Sequence, residues 1–318
     1  MTFLSMKQSE LRENLIRKRK QPCMMEDSIA AMRLQEETTY RVEDFLPGYG
    51  KAALDKECRE KICLWAFEVV DFCDYKRSTV AIAMNFLDRF MCTKMGRKQI
   101  RSKKSYQLAA MTTLFMAIKL FETVQMDVGL MADMSRGIYK PERILEMEKT
   151  ILDGLEWRTN GPIALTFVQH FMSFLPSSVD PAISAAIMEQ ARYQTELAVC
   201  NYDLIQENQS QVALSAILNA MEALGGKALP FKTRNEFINN LEKHSNGVTC
   251  EDAETVRQYL EVLATAAVQT PLESIMEARI RAFDQEDSDA RSIYSGEWST
   301  KSKKHNKQEA SPVCVSRQ

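Results

Sequence analysis

The stretch Asn85-Phe86-Leu87-Asp88-Arg89-Phe90-Met91 closes the second of two amphipathic helical patterns, the first of which begins at Arg59. Apolar residues recur at helical spacing in both patterns. They are Ile62, Trp65, Ala66, Val69 and Val70 in the first, and Val80, Met84, Leu87 and Met91 in the second. A charge is rarely buried without a partner, so we predict an Arg59–Asp88 pair that joins the two helices. On these two residues alone, a surface Arg and a surface Asp on unrelated helices would be an equal alternative.

The composition is that of an ordinary globular protein. The chain has 318 residues, of which 45% are hydrophobic and 26% charged, enough apolar material for two modest cores. Its net charge of −2 gives no argument for binding nucleic acid or a membrane. No apolar run approaches the ~18 residues of a membrane span, and the N-terminus is polar rather than a signal peptide. We therefore expect no direct nucleic-acid partner and no membrane partner.

Glycine, proline and cysteine usage favours an all-α protein in a reducing compartment. There are 11 glycines and 9 prolines, and no run alternates as a strand would. The eight cysteines form no C-x-x-C pair, and most lie within helical patterns, where a free thiol packs as a small hydrophobe. We expect neither a metal nor a cofactor.

The first half of the chain is predicted to hold a flexible tail at 1–31 and a helical domain at 32–160. We expect a helix from Met32 to about Leu46, capping of a later helix by Ser78 or Thr79, and a helix that Pro141 opens at its first turn. The other predicted helices run from Arg59 to about Asp74, from Ser78 to about Met91 and over Tyr106–Glu122, and a shorter segment follows around Val128–Met134.

The second half repeats the helical patterns after Asn160-Gly161-Pro162, where we place a domain junction. Its predicted helices are Leu165–Phe174, Pro181–Cys200, Gln209–Leu224, Phe231–Lys243 and Thr249–Val268. Five helices in each half indicate an internal structural repeat, with a second domain at 161–280. Residues 281–318 contain too few apolar side chains to pack and are predicted to be a disordered tail.

Two further charges suggest an interface. Lys119 directly follows an apolar stretch, and Glu148 follows the apolar residue Met147. Each could be the polar edge of its helix, which is the commoner case for a lone charge. The functional interpretation is that both project from neighbouring helices onto one outer face, where they would bind the backbone of a partner among apolar neighbours.

Residues suited to catalysis are few. His170, His244 and His305 are the only histidines, and each is better explained as structural or solvated than as catalytic. No phosphate-binding, dinucleotide-binding, zinc-protease or serine-hydrolase motif occurs. A binding role is therefore favoured over an enzyme.

Together these residues resemble the cyclins, the activating subunits of cyclin-dependent protein kinases. The Arg, Asp, Leu, Lys and Glu of the family's N-terminal box have matching residues here in the same order. They are Arg59, Asp88, Leu108, Lys119 and Glu148. Around them, Trp65 and Glu68 fit W-x-x-E, and Phe86-Leu87-Asp88-Arg89-Phe90 is similar to Y-[IL]-D-R-F. The closest resemblance within the family is to the D-type (G1) group.

The resemblance implies two tandem five-helix cyclin boxes, the C-terminal one divergent. Arg59 and Asp88 would join helices, Leu108 would lie in the core, and Lys119 and Glu148 would contact the kinase. The protein would be a regulatory subunit, present in the nucleus and cytoplasm, that forms a heterodimer with a cyclin-dependent kinase and also meets kinase inhibitors and substrates. A candidate substrate-docking patch would comprise Cys58, Lys61, Ile62, Trp65, Glu68 and Gln107.

Three features depart from the family's pattern. Lys61 stands where the docking patch has an apolar anchor, so docking of R-x-L segments is in doubt. No L-x-C-x-E motif occurs near the N-terminus, and Gln209-Ser210 replaces the common P-S of the second box.

Other classes of function stay open at this point. One is a cyclin-fold transcription factor or transcriptional cyclin, which a basic stripe and a zinc ribbon would favour. Another is a helical scaffold without a kinase partner. The basic runs Arg17–Lys20 and Lys301–Lys307 are candidate nuclear-import signals, and a solvated basic run explains each equally well.

Overall fold

The computed structural model describes residues 24–46 and 54–269, and every regular element in these residues is a helix. A helix at 24–37 (α1) comes first. The first domain then contains α2 (Lys56–Phe72), α3 (Ser78–Cys92), α4 (Gly96–Gln99), α5 (Lys103–Phe121), α6 (Val128–Met134) and α7 (Pro141–Gly154). The second domain contains α8 (Ala164–Phe171), α9 (Pro181–Cys200), α10 (Gln209–Ala223), α11 (Gly225–Ala228), α12 (Phe231–His244) and α13 (Cys250–Gln269), with 3₁₀ turns at Met172–Phe174 and Tyr202–Leu204.

The predicted all-α class is confirmed, and the long helices follow the sequence pattern closely. Within the described residues each domain has five helices of seven residues or more. Pro141 opens α7, and its apolar positions Ile144, Met147, Ile151 and Leu155 are buried as expected. The expected capping of α3 is wrong, because Arg77 holds the cap position without a side-chain bond and Ser78 is already helical.

The first helix departs most from the expectation. We predicted a helix from Met32 to about Leu46, but α1 is helical at 24–37 and residues 41–46 belong to no regular element. Ile29 is fully buried in the second core, with Met25 and Met32 packed beside it at helical spacing. Residues 24–31, expected in a flexible tail, therefore pack against the second domain. The expected tails at 1–23 and 281–318 lie outside the described residues.

One central helix organises each domain. In the first, α5 contacts α2, α3, α6 and α7, and its side chains from Leu108 to Ile118 are all buried. In the second, α10 contacts α8, α9 and α13. A helix that is apolar on every side can only be stable inside a bundle. Each of the two repeated domains is therefore built around one central helix, α5 in the first and α10 in the second.

Close contacts fix the junction between the domains. Glu156 and Trp157 adopt positive φ values of 52° and 61°, ending α7. A Cβ atom at Gly161 would lie 2.4 Å from Cδ1 of Tyr40, so only glycine fits there. Arg89 stacks on Tyr40 and donates to the carbonyl of Arg158 at 2.9 Å. These contacts hold the backbone at the start of the second domain against the first domain.

Candidate functional site

Arg59 and Asp88 form a buried pair between α2 and α3. Nε of Arg59 donates to Oδ1 of Asp88 at 2.8 Å, and a terminal guanidinium nitrogen donates to Oδ2 at 2.7 Å. Both side chains are almost wholly buried. Burial disfavours the charged guanidinium, but the charge and hydrogen bonds of Asp88 outweigh it and raise the pKa of Arg59. The two-point geometry holds both side chains in one orientation.

The same guanidinium also reaches the second domain. Its other terminal nitrogen donates to the carbonyl of Val199 at 2.9 Å and to that of Cys200 at 3.3 Å. These are among the last carbonyls of α9, which have no partner within their own helix and lie at its negative pole. Arg59 thus joins three helices, where the sequence predicted two.

Several further contacts surround this point on the domain boundary. Arg77, the residue before α3, donates to Glu196 of α9 at 2.8 Å. The hydroxyl of Tyr202 donates to Asp44 at 2.6 Å and accepts from the amides of Phe45 and Leu46. These contacts fix the second domain against the first on more than one side of Arg59.

Two thiols also meet at the boundary. Sγ of Cys63, on α2, lies 3.4 Å from Sγ of Cys200, the last residue of α9. Cys63 is fully buried, and burial raises its pKa well above the usual value. Cys200 is partly exposed. The two domains are therefore in direct van der Waals contact at a pair of free cysteines.

Lys119 and Glu148 lie together on the outside of the first domain. Nζ of Lys119, near the end of α5, is 2.9 Å from Oε1 of Glu148 on α7. The Lys119 side chain is 47% exposed and that of Glu148 is 13% exposed. The structure thus brings onto one face the two charges that the sequence singled out.

Apolar side chains close to this pair in sequence are exposed. Leu120 and Phe121 directly follow Lys119, and Leu145 precedes Glu148 by one helical turn. Val124 lies in the loop that follows α5 and is also exposed. A charged pair among exposed apolar side chains has the anatomy of a specific protein interface.

The candidate docking patch is less open than the resemblance implies. Ile62 and Trp65 are buried in the first core, as is Leu108 of α5. Cys58 is half-buried, which raises the pKa of its thiol to about 11. Gln107 accepts from the hydroxyl of Tyr139 at 2.8 Å. Few apolar atoms of this patch are therefore available to a ligand.

The two charged members of the patch differ in their surroundings. Lys61 is paired with Glu57 at 3.1 Å along α2. Glu68 is half-buried, makes no ion pair with another described residue, and has a pKa that burial raises. The patch therefore contains a lysine, Lys61, that is already ion-paired and a carboxyl group, Glu68, that is partly shielded from water.

One buried carboxylate, that of Glu36, was not predicted from the sequence. Glu36 of α1 accepts from the amide of Ser210 at 3.0 Å and from its hydroxyl at 2.6 Å. It thereby caps the first turn of α10 and binds Arg33 at 2.7 Å. No local pattern could have revealed it, because the two partners are 174 residues apart.

The histidines within the described residues have structural partners. Nδ1 of His170 lies 2.8 Å from the carbonyl of Thr166 in its own helix. His244 stacks on Phe174 and contacts Glu26 of α1 at 2.7 Å. In the described part of the chain no three His, Cys, Asp or Glu side chains cluster as metal ligands would.

Family models cover nearly all of the described chain. The family described as "Cyclin, N-terminal domain" matches residues 27–160, and "Cyclin, C-terminal domain" matches residues 162–279. The chain belongs to the cyclin family. The first match covers the Arg59–Asp88 and Lys119–Glu148 pairs, and the second covers the α9 carbonyls that Arg59 binds.

Curated relatives of this cyclin include G1/S-specific cyclin-D1 of several vertebrates. The human protein is 25% identical over 231 residues, covering 71% of this chain and 70% of the relative. The Danio rerio protein is 24% identical over 267 residues, covering 82% and 84%. The resemblance to D-type cyclins is thus confirmed by proteins aligned along most of their length.

Solved structures support the cyclin fold. A viral cyclin from herpesvirus saimiri matches with a TM-score of 0.58 and 16% identity, covering 75% of this chain and 97% of that one. A chain of the CAK complex from Chaetomium thermophilum matches with a TM-score of 0.50 and 17% identity, covering 83% and 81%. Among the described helices, none has the length and apolar character needed to cross a membrane.

Proposed function

We propose that this cyclin binds a cyclin-dependent Ser/Thr protein kinase and activates it, in a G1/S-like step of cell-cycle control. The Lys119–Glu148 pair, whose lysine is exposed, is the observation that carries the proposal, and the D-type relatives support it. Family membership supports a kinase partner, and on this proposal the Lys119–Glu148 pair is where that partner binds.

The pair is suited to binding a partner's backbone. Lys119 is nearly half-exposed, so its bond to Glu148 contributes only ~0–1 kcal/mol to stability and can be exchanged at little cost. A partner's helix or loop would accept from Lys119 and donate to Glu148. The exposed Leu120 and Leu145 would be buried in the same contact.

Activation would follow from a difference in affinity. A protein kinase is active only when the Lys–Glu ion pair of its N-terminal lobe is assembled. A cyclin that binds this conformation more tightly than the inactive one shifts the population toward it. On this proposal the cyclin performs no chemistry and uses no cofactor.

The wider setting is proposed on the same basis. We place the protein in the nucleus and cytoplasm, with kinase inhibitors and substrates as further partners. The candidate import signals, Arg17–Lys20 and Lys301–Lys307, lie outside the described residues. Deleting each basic run and imaging the tagged protein would test this placement.

A pull-down with kinase assay tests the central claim. Wild-type cyclin is expected to recover a kinase that phosphorylates histone, and Lys119→Ala/Glu148→Ala is expected to lose most of that activity. Arg143→Ala/Glu146→Ala is the matched control, since it removes an exposed ion pair from α7 away from Glu148.

Two results would contradict the proposal. One is the absence of a kinase from wild-type pull-downs, and the other is full activity in the Lys119/Glu148 double variant. Unchanged thermal unfolding of both double variants shows that any loss of activity is not a loss of folding.

A further inference from the structure

Six exposed basic side chains lie within eleven residues of the first domain, in α4, beside it and in the first turn of α5. The segment 94–104 contains no carboxylate, although the whole chain has a net charge of −2. Its backbone is ordered, forming α4 and the start of α5. We call this surface the basic edge; it consists of Lys94, Arg97, Lys98, Arg101, Lys103 and Lys104, all exposed.

Most of these cations have no ion-pair partner among the described residues. Arg97 is the exception, and its distance to Glu43 is 3.9 Å, at the outer limit of an ion pair. Asp55 is close enough to Lys103 for an electrostatic attraction. The Asp55 side chain, however, already caps α2 by accepting from the amide of Cys58. The basic edge therefore keeps most of its positive charge.

The position of two lysines adds to this field. Lys103 and Lys104 occupy the first turn of α5, and neither α4 nor α5 has an acidic residue in its first turn. A helix N-terminus favours negative charge, so lysines there act against folding of the isolated helix. The arrangement becomes favourable once an anion lies against the edge.

The neighbouring surface offers little to an apolar ligand. The basic edge adjoins the candidate docking patch, since Lys103 acts electrostatically on both Asp55 and Cys58 at the start of α2. The apolar members of that patch, Ile62 and Trp65, are buried in the core. A segment that docked here would be held by charge more than by apolar anchors.

We propose that the basic edge binds an Asp- and Glu-rich peptide segment of a protein partner. The cations are spread along the surface, and four of the six are lysines, which act as point charges rather than as a bidentate clamp for one phosphate. The aromatic residues beside this segment are buried: Phe90 and Tyr106 flank it in sequence, and the hydroxyl of Tyr139 donates to the carbonyl of Lys104. Among the described residues these rings therefore offer single-stranded nucleic acid no stacking surface. A run of carboxylates fits this pattern best.

Binding of a labelled peptide to the cyclin alone tests this proposal without any kinase. The probe is a fluorescein-labelled peptide that alternates Glu with Ser and Gly, and fluorescence anisotropy reports its binding. Lys98→Glu/Arg101→Glu/Lys104→Glu is expected to weaken binding by about tenfold or more, and binding to wild type should fall steeply as salt rises. Because Glu is favourable in the first turn of a helix, Lys104→Glu should not impair folding.

Lys227→Glu/Lys232→Glu/Lys243→Glu is the matched control, with the same change of net charge on exposed lysines of the second domain. The control should bind the peptide as wild type does. Equal loss in both triple variants would overturn the proposal, because net charge alone would then explain binding. It would also be overturned by no binding to wild type, or by tighter binding of a single-phosphoserine peptide or an RNA oligomer of equal charge.

Discussion

Asp88 accepts two hydrogen bonds from Arg59, while a third arm of the same guanidinium binds the carbonyl of Val199 in the second domain. The charge of Arg59 is therefore neutralised within the first domain, and its remaining donor is used outside it. Replacing either side chain should therefore disturb both the contact between α2 and α3 and the contact between α2 and α9.

Removing Asp88 should destabilise the fold severely. Asp88→Ala leaves Arg59 buried without its countercharge, which typically costs ~3–5 kcal/mol. Urea unfolding should show a lower midpoint with this loss of free energy. Lys119→Ala serves as the control and should lower stability by less than ~1 kcal/mol, since the Lys119 side chain is nearly half-exposed. An Asp88→Ala protein with an unchanged midpoint would count against the structural role of the pair.

Glu36 should hold α1 on the second domain. Glu36→Ala removes the acceptor of the Ser210 amide and one partner of Arg33, so we expect a loss of ~1–3 kcal/mol. Limited proteolysis should then cut faster within 24–37. Glu37→Ala is the neighbouring control, because Glu37 is exposed and its ion pair within the described part of the chain is with Arg33 at 2.6 Å. Equal cleavage of the two variants would show that the cap at Ser210 is unimportant.

Oxidation should join Cys63 to Cys200 before any other pair of described cysteines. With diamide as oxidant, the two thiols lose two protons and two electrons to form a disulfide, and diamide is reduced to its hydrazine. The partly exposed Cys200 would react first, and the buried Cys63, 3.4 Å away, would displace the adduct. Peptide mapping without reductant should find this link in wild type and lose it in Cys63→Ser. A different dominant link would refute the geometry.

Glu68 should give a pH-dependent stability difference. Burial raises its pKa, so the folded protein prefers the protonated carboxyl. The contribution to stability is therefore present below the unfolded pKa of ~4.3 and is lost as pH rises through the higher folded pKa. Glu68→Gln should be more stable than wild type at pH 7, and the gap should close as pH falls. Melting temperatures of wild type and Glu68→Gln across this pH range test the assignment, and a gap that stays constant with pH would contradict it.

The sequence was most informative where periodicity and charge occur together. Asp88 lies between apolar positions of one helix, which marks it as a buried charge that needs a partner, and Arg59 begins the preceding helical pattern. Lys119 and Glu148 stand at the edges of apolar patterns, and their helices proved to be neighbours. In each case the local apolar spacing was enough to single out the charged residue.

Long-range contacts were not predictable in this way. Glu36 binds Ser210 across 174 residues, and Arg59 binds a backbone carbonyl, which has no signature in a sequence. The start of α1 was misplaced because Met25, Ile29 and Met32 face the second core rather than one of their own. The apolar spacing showed that these residues could form a helix, but not what the helix would pack against.

The bond from Arg59 to Val199 means that the two cyclin boxes cannot be separated without cost. Cutting the chain after residue 160 would remove α9 and leave the third arm of a buried guanidinium without an acceptor. An isolated first box would then have to rearrange or admit water beside Asp88. Fragments that carry the whole proposed kinase-binding face should therefore be poor substitutes for the intact pair of boxes. Deletions that remove α9 from the second box should therefore also destabilise the first box.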